Sequence, residues 1–203
     1  MVSNVPVIMA NGDNNSITMQ RILDIFERQA RTVGPKRVVM AELVRELGIS
    51  TKTLYRLFPN KAEMVTAMMQ RHAEKRSLRQ QEGLDRGLGP RARIECMAIE
   101  WLEYTSQFSE QFWLQLERDF PKAHEIFTRQ QRKFLKRSQE NLTSAIRQGL
   151  NADIALTMLL EMIVKSTDAE YCERHNVTRR EVLAQAIGIW SLGALRETTE
   201  NHS

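Results

Sequence analysis

The apolar positions recur at three- and four-residue intervals along nearly the whole chain, the period of helices that bury one face. Residues 1–16 show no such period and end in the turn-forming run NGDNNS, which predicts a mobile tail. From Ile17 the pattern begins, with Ile22, Leu23, Phe26, Ala30 and Val33 on one face, and Gly34-Pro35 stops the helix. Met40, Leu43, Val44 and Leu47 mark a short second helix closed at Gly48, a residue suited to the left-handed turn. Ser50 can cap a third helix with Leu54, Leu57 and Phe58 inward, and Pro59 ends it. Asn60 with Glu63 resembles a capping box for a fourth helix, whose inward residues are Met64, Val65, Met68 and Met69. GLDRGLGP is the clearest break in the chain. Beyond it the pattern predicts helices over about 90–107, around Phe112–Leu116, over 122–148, 152–173 and 179–197, the last opened by a Thr178/Glu181 capping box. No strand alternation and no internal repeat is visible, so the expected fold is all-α with about nine helices.

The last two predicted helices are apolar around more than one face. ADIALTMLLEMIV and the stretch from Val182 to Leu195 carry more apolar surface than one core contact needs. A subunit interface, an isologous four-helix bundle of two helices from each chain, accounts for the excess and would use Met158, Met162, Val182, Ala186, Ile187, Ile189, Trp190 and Gly193. A core helix enclosed within one chain is the other explanation. The interface is preferred because the final helix is terminal.

Composition narrows the class. In 203 residues, 42% are hydrophobic and 27% charged, an ordinary globular balance, and 9 Gly and 5 Pro exclude collagen-like and Pro-rich chains. No apolar run approaches a membrane span and no secretory leader pattern is present, which with two cysteines, Cys96 and Cys172, points to the cytoplasm. The net charge of +4 is uneven: residues 1–80 hold 13 Lys and Arg against 7 Asp and Glu, and the remainder is close to balanced. A basic end suits a polyanion, although a solvated surface can carry the same charge.

The chemistry that stands out is a helix-turn-helix. In MAELVRELGISTKTLYRLF an eight-residue helix meets a tight turn at Leu47-Gly48-Ile49, and a second short helix starts at Ser50. Leu43, Leu47, Ile49, Leu54 and Phe58 make the apolar knot. Ser50, Thr51, Lys52, Thr53, Tyr55 and Arg56 face outward, with Lys61 in the first turn of the next helix. Hydroxyls, a phenol and cations are the groups that meet phosphates and base edges in a major groove.

These residues also carry a resemblance. RILDIFERQARTVGPKRVVMAELVRELGISTKTLYRLFPNKAEMV resembles the N-terminal domain of the tetracycline-repressor (TetR) family of bacterial transcriptional regulators over residues 18–68. Gly34 before helix two, GIS at the turn, TLY in the recognition helix and F-x-x-K at Phe58 to Lys61 carry it. The resemblance implies a homodimer, a palindromic DNA operator, and release by a small-molecule effector bound in the C-terminal domain. It implies a DNA-binding domain over 17–77 and an effector-binding and dimerisation domain over 78–203. Tyr55 and Lys61 match the family's phosphate-contact positions. The chain departs from the pattern at Val38 and Val39, where a capping threonine is usual, at Lys52, where a small residue is usual, and at Leu57, where an aromatic or histidine is usual.

Trp101, Tyr104, Phe108, Phe112, Trp113, Leu116, Phe120 and Met158 either line a ligand pocket or fill the core, with Tyr104, Glu100 and His124 as candidate polar partners. His72, His124, His175 and His202 form no metal-binding pattern, and the Cys172/His175 pair lacks further ligands. No nucleophile elbow, phosphate loop or dinucleotide fingerprint occurs, so neither an enzyme nor a cofactor is expected. The competing reading is a helical dimeric interaction or ligand-binding protein that does not bind an operator; an enzyme ranks behind it.

Overall fold

The computed structural model describes residues 8–85, 87–166 and 168–196. It is all-helical: α1 (Ile8–Val33), α2 (Met40–Leu47), α3 (Thr51–Leu57), α4 (Lys61–Asp85), α5 (Pro90–Ser106), α6 (Glu110–Asp119), α7 (Pro121–Leu142), α8 (Ala152–Ser166), α9 (Ala169–His175) and α10 (Arg179–Ala194). Single 3-10 turns, Pro35–Arg37 and Thr143–Ala145, follow α1 and α7. Among the described residues no helix is long and apolar enough to cross a membrane.

The chain forms two compact units. The first holds the described residues up to Lys75 together with Gln107–Thr128; the second holds Arg76–Ser106 and the described residues from Arg129 onward. The sequence boundary at 77/78 therefore falls close to one crossing, but α6 and the start of α7 belong to the first unit.

In the first unit α1 packs against α2 and α6, burying Ile22, Phe26 and Ala30 with Leu43, Phe112 and Leu116. α6 starts at Ser109, whose Oγ accepts from the Phe112 N–H at 3.3 Å, and the Ser109 N–H donates to the Arg31 carbonyl at 2.9 Å. Gly34 has φ +80°, and a Cβ there would stand 2.6 Å from the Gln115 carboxamide. That closeness lets Gln115, 2% exposed, accept from the Lys36 N–H at 2.8 Å. Without this bond a backbone donor would be left unpaired beside a buried side chain.

In the second unit α10 packs on α8 and α5. Its core gathers Ile94, Leu142, Leu159, Ile163, Leu183, Ile187 and Trp190. The Trp190 indole N–H donates to the Ala155 carbonyl at 2.7 Å, pairing the one polar atom of a large apolar side chain. The Thr178/Glu181 capping box is formed in both directions, at 2.7 and 3.2 Å. An antiparallel bridge joins Ile146 to Leu195, with Arg147 N–H donating to the Ala194 carbonyl at 2.8 Å and Arg196 N–H to the Ala145 carbonyl at 2.9 Å.

Three expectations are corrected. Helix α1 begins at Ile8, not Ile17, and takes in NGDNNS; residues 1–7 of the expected tail lie outside the described residues. Once a helix is nucleated, each added residue gains a hydrogen bond at small cost, and Thr18 Oγ1 closes on the Asn14 carbonyl at 2.7 Å. The helix expected to run to Gln148 stops at Leu142. The segment expected as one helix over 152–173 is two, because the Asp168 carboxylate accepts from the Tyr171 N–H at 2.6 Å and starts α9. Asn176, in the left-handed region at φ 50°, closes α9.

Candidate nucleic-acid interface

The helix-turn-helix forms from α2 and α3. Gly48 (φ 65°) reverses the chain and its N–H returns to the Arg45 and Val44 carbonyls. Val39 occupies the N-cap of α2 with no side-chain bond, so this helix start lacks the usual hydroxyl cap. Val38 instead is buried, 3% exposed. Ser50 caps α3: its Oγ accepts from the Thr53 N–H at 3.0 Å and lies 2.8 Å from Thr53 Oγ1. Leu54 and Phe58 bury against the knot with Leu43 and Leu47.

One face of α3 is thereby anchored and the other is free. Thr51, Lys52, Tyr55 and Arg56 are exposed. Ser50 and Thr53 spend their hydroxyls on the helix start, so of the seven expected contact residues these two are partly committed to structure. Arg56 donates to Asn15 Oδ1 at 3.1 Å, a partner on the first half of α1, where the sequence pattern predicts a tail. Lys61 stands at the start of α4, where Asn60 Oδ1 accepts from the Glu63 N–H at 2.9 Å. Its Nζ donates to the Lys36 carbonyl at 2.7 Å, and partial burial lowers its pKa from the ordinary lysine range. Lys36 is thus held at its N–H by Gln115 of α6, at its carbonyl by Lys61 of α4, and at its Nζ by Asp119 at 3.3 Å.

The first unit also holds a charged cluster between α1 and α4 that the sequence pattern does not show. Glu27, 7% exposed, meets Arg71 (Nη2 to Oε2, 2.5 Å), His72 (Nε2 to Oε1, 3.0 Å) and Arg31. Arg71 also reaches Asp24 at 2.6 Å and Gln20 at 3.2 Å. Arg31 lies over the Phe108 ring at 5.3 Å, and His72 meets that ring edge-on. Burial raises the Glu27 pKa, but His72, Arg71 and Arg31 outweigh it and bring it down to about 2. The available signal was a glutamate at the four-residue spacing of the apolar face, between Leu23 and Arg31.

The expected pocket residues are divided between the two units. Phe108, Phe112, Leu116 and Phe120 are buried in the first unit, where Phe108 stacks on Phe112 at 4.3 Å and Trp113 meets Phe127 at 4.7 Å. They fill a core, because α6 docks on α1. His124, in that unit, is half-buried, and Glu100, in the second, is exposed. Tyr104, 7% exposed, lies under the Arg76 guanidinium at 4.5 Å, and Met158 is 61% exposed. The second unit instead holds a cavity of about 480 Å3 between α5, the later part of α7, and α8, to which Trp101 alone of the expected residues contributes. Its walls include Met97, Leu156, Leu160 and Ile163, with Gln131, Gln139, Asp153 and Thr157 as polar members.

The expected interface residues divide as well. Ala186, Ile187 and Trp190 are 5%, 1% and 6% exposed and face their own core, a correction that follows from α10 packing on both α5 and α8. Met162 and Val182 are half-buried. Met158, Ile189 (65%), Leu192 (73%) and Gly193 point outward. Among the described residues no cluster of three or more metal-ligating side chains occurs.

Comparison with known proteins agrees with this geometry. Residues 22–68 match the family model of bacterial regulatory proteins, tetR family. No curated protein matches the sequence. Among solved structures, reduced E. coli NemR is similar at TM-score 0.68 and 17% identity over 90% of this chain and 100% of that one. A transcriptional regulator from Saccharomonospora viridis, solved with choline, is similar at TM-score 0.71 and 16% identity over 90% and 100%. A TetR-family regulator from Agrobacterium tumefaciens is similar at TM-score 0.68 and 10% identity over 90% and 100%. Residues 22–68 thus carry the helix-turn-helix of the tetR family of bacterial regulatory proteins, the mark of a DNA-binding transcriptional regulator.

Proposed function

We propose that the chain is a cytoplasmic, homodimeric repressor that reads a palindromic operator through α3 and leaves it when a small molecule binds in the second unit. The observation that carries the reading is the exposed face Thr51, Lys52, Tyr55 and Arg56 on a short helix whose other face is anchored by Leu54 and Phe58. Lys52 and Thr51 are assigned to base edges, Tyr55, Arg56 and Lys61 to the phosphate backbone, and Ser50 and Thr53 to setting the helix start. Lys61 would exchange the Lys36 carbonyl for a phosphate oxygen, a charge-assisted bond and the stronger of the two. The exposed apolar residues of α8 and α10, Met158, Ile189 and Leu192, support a two-fold interface of these helices.

Selection of fragments from a random duplex library by the purified protein tests the reading. Two inverted half-sites should emerge, spaced so that recognition helices about 34–36 Å apart, or somewhat more, enter successive major grooves. Recovery of no enriched sequence, or of a single unpaired half-site, would defeat it.

A further inference from the structure

The cavity of the second unit has a chemical character that its family does not dictate. At about 480 Å3 it falls within the roughly 300–1,000 Å3 of small-molecule sites. The walls from α5 and α8 are apolar apart from Asp153 and Thr157. Of the described lining residues Asp153 alone carries a formal charge; the other polar members are Gln131, Gln139 and Thr157. Arg76 is engaged elsewhere, over the Tyr104 ring at 4.5 Å and the Trp101 ring at 5.7 Å, and does not line the cavity.

Asp153 stands in the first turn of α8, and its own N–H donates to Asn151 Oδ1 at 2.9 Å. One carboxylate oxygen accepts from the Gln139 side-chain N–H. A carboxylate offers about four acceptor positions, so one such bond leaves most of the group open to a ligand cation.

An anionic ligand would set a second negative charge beside Asp153 with no described cation on the walls to offset it. A neutral apolar ligand would leave the carboxylate without a partner of opposite charge. A cation on an apolar body satisfies both ends: the body fills the apolar walls, and the charge meets Asp153.

We infer that the cavity binds an amphiphilic organic cation, a substituted ammonium joined to an apolar or aromatic body, with Asp153 as the residue that selects for its charge. This rests on the reading of the second unit as the effector-binding half.

Three probes of matched shape test it by calorimetry on the full chain at low ionic strength: 4-phenylbutyltrimethylammonium, its uncharged tert-butyl isostere, and 5-phenylpentanoate. The cation should bind tightest and the carboxylate weakest. Asp153→Asn should weaken the cation roughly fivefold, the scale of a partly exposed ion pair, and leave the isostere nearly unchanged. Added salt should shrink the cation's advantage. Equal affinities, a preference for the carboxylate, an Asp153→Asn variant that binds the cation as well as the parent, or no binding at millimolar concentration would each overturn the inference.

The same probes added to a gel shift separate the two readings. A cation that binds with this preference but leaves DNA affinity unchanged upholds the ligand class and defeats release by this site. Release by the carboxylate but not by the cation does the reverse.

Discussion

The side chain of Glu27 shows how a polar residue on an apolar helix face becomes a structural group. Its carboxyl is held at about 2, below the ordinary value of 4.5, so the folded state resists protonating it. The unfolded chain binds the proton first. Stability from this group is therefore complete above about pH 4.5 and lost as pH falls toward 2, a total on the order of 3 kcal/mol. Denaturant titrations between pH 6 and 2 should show this acid limb, and Glu27→Gln should flatten it while costing about 2–3 kcal/mol at neutral pH, since Arg71 would lose its buried partner. An unchanged limb in the variant would place the acid sensitivity elsewhere. Periodicity marks Glu27 only as a polar residue in an apolar row; its three partners come from α1 and α4, and no local pattern pairs residues 44 positions apart.

At the scale of elements, local signals decided most outcomes. Gly48, Ser50, Pro59 and the Thr178/Glu181 box act within four residues, and each ends or starts a helix where the sequence places it. The misplaced ends are those where a short-range signal competes with a longer one. The polar run NGDNNS continues α1 because a formed helix extends cheaply, and Asp168 interrupts an apolar run that otherwise reads as one helix. The docking of α6 on α1 was not legible, because it rests on Gln115 reaching a backbone N–H 79 residues away. Gly34→Ala tests that docking: a Cβ would meet the Gln115 side chain and the residue would sit at positive φ, so a loss of at least about 1–2 kcal/mol is expected in thermal or denaturant unfolding. Gln115→Leu should cost about 1–3 kcal/mol by orphaning the Lys36 N–H. If both variants unfold like the parent, Gln115 does not buttress this turn.

For the whole molecule, the sequence divides the chain near residue 77, but the aromatics of α6 fall in the first unit. The aromatics of α6 looked like pocket residues because their spacing is that of any buried helix face; only tertiary packing turned them toward α1. Likewise the apolar excess of α8 and α10 is divided between a core contact and an outer face, a division that periodicity alone does not resolve. Two substitutions separate those faces. Leu192→Glu on the outer face should convert a dimer of 23.5 kDa chains into a folded monomer in light scattering, whereas Ile187→Glu should unfold the second unit. A Leu192→Glu protein that keeps the parent's mass would move the interface elsewhere. The central claim is that α3 and the start of α4 form the DNA surface, and gel-shift titration on the selected duplex across a salt series tests it most directly. Lys61→Ala should weaken all sequences alike and reduce the salt slope by about one unit per site. Lys52→Ala should instead change the preferred base at one position by about 1–3 kcal/mol. Parent-like affinity, salt slope and base preference in both variants would contradict the assignment.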